Sequence, residues 1–204
     1  MLRGLYTSAL GMTTQMNRMD VLSNNIANVN TNAFKKDKVI TQSFSEEFMK
    51  RLNDNPDDEP KIFRSGAANV GKYAPGLFVD DLHTDFTAGS LKTTGGTFDL
   101  AVIGDGFFAV SVTDNNGETV EQYTRDGAFT LNQDRVLVTK DGFFVQGENG
   151  NITVPDGRIS ISETGEIFVD GELNDIIRVV GFEDKMLLRK QGYNLYSAPE
   201  EAGA

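Results

Sequence analysis

Apolar residues in the first thirty positions recur at alternating steps of four and three, and polar residues fill the positions between them. This heptad spacing predicts an α-helix over residues 3–28 with a narrow apolar stripe of the coiled-coil type. We call this stripe the heptad seam. One of its positions is held by Ser23. The other members of the seam are Leu5, Ala9, Met12, Met16, Met19 and Ile26.

No second heptad pattern follows in residues 36–204. A seam without an internal partner predicts pairing with a helix from another chain. Two alternatives remain open: the seam packs on a sheet of its own chain, or its flexible methionines form a groove for varied ligands. Because Gly4 and Gly11 each weaken the helix by about 1 kcal/mol relative to alanine, we predict that residues 1–35 order only when they meet neighbours.

Residues 24–32 contain five asparagines, which predict the end of the helix because asparagine tolerates the left-handed conformation. Residues 36–90 then form a predicted linker. Within it, apolar residues four apart indicate a short amphipathic helix over 40–52. A polar, acidic stretch with two prolines indicates an exposed loop over 53–60.

From Leu91 the pattern changes to short apolar runs separated by Asp-Gly and Asn-Gly pairs. These pairs adopt positive φ and are the strongest local hairpin signal, so residues 91–196 are predicted to form an all-β domain of short antiparallel strands. Residues 197–204 are predicted to be a disordered tail. The fold class is therefore mainly β, with an N-terminal coiled-coil-type helix and an extended linker. The predicted strands span 98–103, 107–112, 120–123, 129–131, 136–139, 143–146, 152–154, 159–161, 166–169 and 176–182.

The chain is acidic, with 19 basic and 30 acidic residues and a net charge of −11. Such a body repels phosphate and anionic lipid, so we predict no nucleic-acid partner. No apolar run reaches the ~18–20 residues that span a bilayer, and membrane insertion is not predicted. The N-terminus lacks the apolar region and cleavage site of a secretory signal peptide.

Few residues are candidates for catalysis. The sequence has no cysteine and a single histidine, His83, which excludes thiolate catalysis and a histidine-rich metal site within one chain. The Asp-Gly turns carry too few oxygens for calcium loops. Asp80, Asp81, Asp85 and Asp99 are candidates for a glycosidase pair, but the chain has no tryptophan for sugar stacking, which favours solvated surface acids. We predict no catalytic residue, no metal site and no cofactor.

Two blocks of the sequence carry a resemblance to a known family. The N-terminal block, residues 23–36, and the β-domain block, residues 85–94 with 98–110, resemble the bacterial flagellar basal-body rod and hook proteins. Residues 123–130 and 142–145 continue the match. The matching signature positions are Ser23, Asn24, Asn25, Ala27, Asn28, Val29, Asn30, Thr31, Phe34, Gly104, Gly106, Phe107 and Phe108.

The resemblance implies a structural rod subunit that polymerises through terminal helices into a tube and transmits torque from motor to hook. Its implied partners are copies of itself, neighbouring rod and hook proteins, and the flagellar type III export apparatus, which exports it to the basal body without a cleaved signal. Family members normally end with a second heptad helix, whereas this sequence reaches Ala204 before any such segment. Ala33 stands where the family usually has glycine.

Alternatives to the rod subunit also follow from the sequence. A hook subunit shares the same blocks, and the resemblance does not separate proximal from distal rod. From another class, an acidic β domain that binds or hydrolyses carbohydrate would depend on Asp81, Asp85 or Asp99. A third alternative is a soluble chaperone or cap whose methionine-rich helix holds an export substrate one to one.

Overall fold

A computed structural model of the chain describes residues 2–50, 69–74, 76–113, 117–199 and 202–203. The chain divides into two compact units. The helical unit comprises Met1–Ala27 and Asp37–His83, and the β unit comprises Asn28–Lys36 and Thr84–Ala204. The predicted acidic loop over 53–60 lies outside the described residues.

In its described residues, the helical unit contains one long helix and two strand pairs. Helix α1 (Leu2–Ala27) has 26 residues and agrees with the helix predicted from the heptad spacing. Strand β1 (Asp37–Ser43) pairs with β4 (Leu77–Thr84). Strand β2 (Glu47–Lys50) pairs antiparallel with β3 (Asn69–Tyr73).

The predicted short helix over 40–52 is wrong for its described residues, which lie in β1, in β2 or between them. Residues 39–41 are all β-branched, and their stiff side chains favour an extended backbone. Strand β4 supplies the hydrogen-bonding partner for β1. Phe44, one of the apolar residues that indicated the helix, instead lies against Phe78 with ring centroids 4.8 Å apart.

The β unit is built from twelve strands in its described residues. Seven follow one path in the larger sheet, in the order β15-β16-β6-β5-β9-β8-β7, with β10 beside β9 and β14 beside β5, while β11, β12 and β13 form a second sheet. The strands are β5 (Gly106–Thr113), β6 (Thr119–Thr124), β7 (Phe129–Leu131), β8 (Leu137–Thr139), β9 (Phe144–Gly147), β10 (Gly150–Asn151), β11 (Ile159–Ile161), β12 (Glu166–Val169), β13 (Glu172–Ile176), β14 (Val179–Gly181), β15 (Arg189–Gln191) and β16 (Leu195–Ser197). The predicted mainly β class with antiparallel sheets is confirmed.

Two of the predicted Asp-Gly turns, at Asp141 and Asp170, connect neighbouring antiparallel strands as predicted. Asp170 and Gly171 connect β12 to β13 with φ values of 52° and 91°, the pair of positive values that such a turn requires. Between β8 and β9, the Gly142 amide donates to the Thr139 carbonyl at 3.0 Å.

The core of the β unit lies on both faces of β5. Successive strand residues point to opposite faces, so Phe107 and Phe108 enter two different hydrophobic clusters. Val110 joins the cluster of Phe108, and Ala109 joins the cluster of Phe107. Burial on both faces explains why the apolar run in this strand is continuous rather than alternating.

The predicted strand over 98–103 is wrong. Its pairing within the described chain is limited to a bridge between Asp99 and Ala128. Phe98, Leu100 and Val102 alternate along the segment and pack partly buried against the core. An extended segment therefore satisfies the apolar pattern here without forming a ladder.

The predicted disordered tail is wrong for its described residues. Ser197 ends β16, and Ala202 is buried at 1% exposure in the cluster around Phe107. The Glu183 amide donates to the Gly203 carbonyl at 3.4 Å. Ala202 is small enough to fill a gap in that aromatic cluster, a contact that composition alone does not reveal.

Candidate assembly surface

Helix α1 exposes the heptad seam. The large seam residues keep between 63% and 69% of their surface accessible, and Ala9 and Ser23 are exposed as well. Two further exposed apolar residues of α1 widen the stripe. They are Tyr6 and Leu22. An apolar stripe of this length on one helix face is typical of an interaction surface.

A different face of α1 packs inside the helical unit. Thr14 is buried, and its hydroxyl donates to the Leu10 carbonyl at 2.9 Å with the Leu77 carbonyl 3.3 Å away. The Leu10 side chain covers Gly76 so closely that a Cβ added there would lie 2.7 Å from Leu10 Cδ1. The helix therefore meets the start of β4 through Leu10 and Thr14, and this contact does not use the heptad seam.

The helix ends inside the asparagine-rich stretch, at Ala27, as predicted. However, the left-handed residue of this region is Ala33, with φ of 54°, and not an asparagine. Among these asparagines, Asn25 binds the backbone of Asp37 through its side-chain amide. Its Nδ2 donates to the Asp37 carbonyl at 2.8 Å, and its Oδ1 accepts from the Asp37 amide at 3.0 Å.

The end of the N-terminal block, residues 28–36, docks on the β-domain block within the β unit. Lys35 Nζ donates to the Thr87 carbonyl at 2.7 Å. The Asp85 amide donates to the Lys36 carbonyl at 2.9 Å, and the side chains of Lys36 and Asp85 form an ion pair at 3.6 Å. The two blocks that carry the family resemblance are thus neighbours in space.

Lys190 and Asn194, two residues late in the sequence, complete this docking. Lys190 Nζ donates to the Lys35 carbonyl at 2.7 Å and lies 3.9 Å from the centroid of the Phe34 ring. Asn194 Nδ2 donates to the Asn32 carbonyl at 2.9 Å. The sequence pattern singled out neither Lys190 nor Asn194, because they are 155 and 162 residues away from the residues that they contact.

Lys35 is held in an unusual environment for a lysine. Only 8% of the residue is exposed. Burial lowers the pKa of Lys35, the Arg125 guanidinium lowers it further, and Asp85 opposes both effects. Arg125 itself lies over the Phe107 ring at 4.6 Å and donates to the Gly104 carbonyl at 3.0 Å. Attraction by Asp85 is offset by repulsion from Arg125, so the hydrogen bond to the Thr87 carbonyl contributes to holding the Lys35 side chain in place.

The signature residues of the β-domain block serve the fold. Gly104 has φ of 107°, which favours glycine. A Cβ at Gly106 would collide with Val179. Phe107 is fully buried and Phe108 is 3% exposed. The aromatic rings within 6 Å of the Phe107 ring are Phe86, Phe182 and Tyr196.

The candidate acidic residues belong to different units. Asp81 and His83 lie on β4 in the helical unit, whereas Asp85 and Asp99 belong to the β unit. Asp85 is engaged by Lys36 and by the Thr87 amide at 3.2 Å. The described residues form no cluster of three or more metal-binding side chains. Among the described segments, no helix is both long and apolar enough to cross a membrane.

Comparison with known proteins identifies the family. Residues 5–35 match a family model described as flagella basal body rod protein. Residues 101–169 match one described as flagellar hook protein FlgE/F/G D1 domain. The chain is 32% identical over 214 residues to the flagellar basal-body rod protein FlgG of Bacillus subtilis (strain 168), an alignment that covers 100% of this chain and 76% of the relative.

Two further relatives agree with this result. FlgG of Agrobacterium fabrum is 32% identical over 209 residues, covering 100% of this chain and 76% of the relative. The flagellar basal-body rod protein FlgF of Caulobacter vibrioides is 32% identical over 197 residues, covering 94% of this chain and 71% of the relative. The resemblance found in the sequence is confirmed, and the chain belongs to the family of flagellar basal-body rod proteins.

Proposed function

We propose that this chain is a structural subunit of the flagellar basal-body rod and that it assembles through the heptad seam of α1. The relatives are named as basal-body rod proteins, which supports the same location and favours rod over hook. The observation that carries the assembly role is the exposed seam, whose large apolar residues are all more than 60% accessible.

A helix from another subunit is the partner that best fits this seam. Heptad spacing places its residues where they insert between the side chains of a second helix. Full burial of each large apolar side chain contributes roughly 1.5–3 kcal/mol, so the five large seam residues supply a substantial driving force. A contact of this kind that does not close on itself produces a helical filament.

The proposed partners are copies of this chain, neighbouring rod and hook proteins, and the flagellar type III export apparatus. The subunit is exported without a cleaved signal peptide and, once assembled, carries torque from the motor to the hook. This role is mechanical and requires no catalytic residue.

A charged substitution in the seam tests the proposal. Met16 is 67% exposed, so Met16→Glu should change the free energy of unfolding of the isolated chain by less than about 0.5 kcal/mol. The same variant should abolish swimming in a strain that lacks the native copy, because a carboxylate cannot be buried in an apolar helix contact.

Gln15→Glu is the matched control, since it adds the same charge at the adjacent exposed position outside the seam. It should preserve swimming. Electron microscopy of basal bodies should show rods in the control strain and none in the Met16→Glu strain. Normal swimming by the Met16→Glu strain would rule out assembly through the seam.

A further inference from the structure

We propose that Lys190 and Lys35 form a clasp that holds residues 28–36 on the β unit, and that both lysines are positioning residues for assembly. The existence of the clasp is independent of the proposed function, whereas its role in assembly rests on that function. The segment held by the clasp follows directly after α1 in the chain.

The clasp is reciprocal. The Lys35 side chain reaches out of the segment to the Thr87 carbonyl, and the Lys190 side chain reaches from β15 back to the Lys35 carbonyl. The backbone and side chain of Lys35 are thus both fixed to the β unit, each by a hydrogen bond of 2.7 Å from an ammonium group. Hydrogen bonds with one ionised partner are roughly twice as strong as neutral ones.

Lys190 makes a second contact with the segment. Its ammonium lies 3.9 Å from the centroid of the Phe34 ring, within the range of a cation–π interaction. One side chain therefore contacts two consecutive residues in two different ways. Asn194 adds a hydrogen bond to the Asn32 carbonyl. Lys190 and Asn194 together contact three of the nine residues of the segment 28–36, which are Asn32, Phe34 and Lys35.

Assembly depends on this segment because it follows α1 directly in the chain and belongs to the β unit, so the clasp fixes the backbone immediately after the helix. Each residue that loses its fixed conformation must be ordered again when the subunit enters a polymer, at a cost in conformational entropy. Opening the clasp would lengthen the unrestrained connection after α1. We therefore expect weaker assembly without any change in the heptad seam.

Limited trypsin digestion of the purified full-length chain tests the clasp. Trypsin cleaves after lysine, and Lys35 is buried while its carbonyl accepts from Lys190. Lys190→Met keeps most of the side-chain length but removes the ammonium. It should increase the rate of cleavage after Lys35 and Lys36 on the order of tenfold, because cleavage follows the population of the locally open form.

Three companion variants make the result specific. Lys190→Arg retains a cation and donors and should stay close to the native rate. Arg189→Met removes a cation from the neighbouring exposed position of β15, whose side chain points to the opposite sheet face, and should leave the rate unchanged. Phe34→Leu leaves both lysines in place and should give an intermediate acceleration. The proposal is overturned if Lys190→Met is cleaved after Lys35 and Lys36 at the native rate. It is also overturned if Arg189→Met is cleaved there as fast as Lys190→Met.

Swimming assays with the same variants separate the clasp from the proposed function. Lys190→Met should reduce swimming while Lys190→Arg restores it. If Lys190→Met opens the segment to trypsin and the strain still swims normally, the positioning role is overturned. Failure of the seam itself would instead be seen as normal swimming by Met16→Glu, which leaves both lysines intact.

Discussion

Lys35 donates from Nζ to the backbone carbonyl of Thr87 at 2.7 Å, across 52 residues of sequence. This bond joins the N-terminal block to the β-domain block, the two parts of the sequence that carry the family resemblance. The signature around Phe34 thus has a physical explanation in docking, since its residues pack on the β unit and do not extend α1. Because the segment 28–36 is docked in this way, substitutions within it test its backbone conformation.

Ala33→Gly should stabilise the β unit. Ala33 has φ of 54°, and the left-handed conformation costs a residue with a Cβ roughly 1–2 kcal/mol. Glycine avoids this cost but loses more entropy on folding, so we expect a net gain of about 0.5–1 kcal/mol in the free energy of unfolding. Urea unfolding followed by circular dichroism measures the difference.

Ala88→Gly is the control for this change. Ala88 is exposed in the same unit, and its φ lies outside the positive range. There glycine should lower the free energy of unfolding by about 0.4–1 kcal/mol. A loss of stability from both substitutions would contradict the left-handed conformation of Ala33.

Gly127→Ala should be strongly destabilising. A Cβ at this position would overlap the Leu100 carbonyl, which belongs to the backbone and cannot rotate away. We expect a loss of about 3 kcal/mol in the free energy of unfolding, at the upper end of the usual cost of overpacking. Thermal or urea unfolding of the purified variant measures it.

Gly142→Ala provides the comparison. Gly142 has open space around it but φ of 91°, so alanine is opposed only by backbone strain of roughly 1–2 kcal/mol. If Gly142→Ala proves more harmful than Gly127→Ala, the close approach of Gly127 to Leu100 is wrong.

Asp126→Asn should stabilise the chain at neutral pH. Burial raises the pKa of Asp126; Asp141 and Asp99 raise it further, while the Ala128 amide hydrogen bond and Lys140 oppose the shift. Asparagine is uncharged but keeps an oxygen to accept from the Ala128 amide, a bond of 3.0 Å in the native chain.

The size of this effect depends on pH. A carboxyl whose folded pKa is raised contributes stability below its unfolded value of 3.8 and loses that contribution as the pH rises through the folded pKa. The advantage of Asp126→Asn should therefore be largest at pH 7 and shrink as the pH falls towards 3.8. Asp134→Asn, at an exposed position, should change stability by less than about 0.5 kcal/mol at pH 7. A variant that is less stable than native at pH 7 would contradict the raised pKa.

Local patterns predicted much of the fold. The heptad spacing located α1 to within one residue at each end, and the runs around Phe107, Phe129 and Ile167 became β5, β7 and β12. The predictions for 40–52, 98–103 and the described residues of 197–204 failed because in each case the conformation depends on a distant partner. These partners are β4, Ala128 and the aromatic cluster of Phe107.

The sequence by itself determined the elements whose signals are local: the period of α1, the Asp-Gly turns at Asp141 and Asp170, and the continuous apolar run of β5. It also determined the family, since each signature block is a continuous stretch of sequence that can be recognised without the fold. Only the tertiary structure decided that Lys35, Thr87 and Lys190 meet, and that Leu10 rather than Met12 faces β4. Hydrogen bonds between residues more than 50 positions apart leave no periodic trace, because nothing in local spacing encodes which distant carbonyl a lysine reaches.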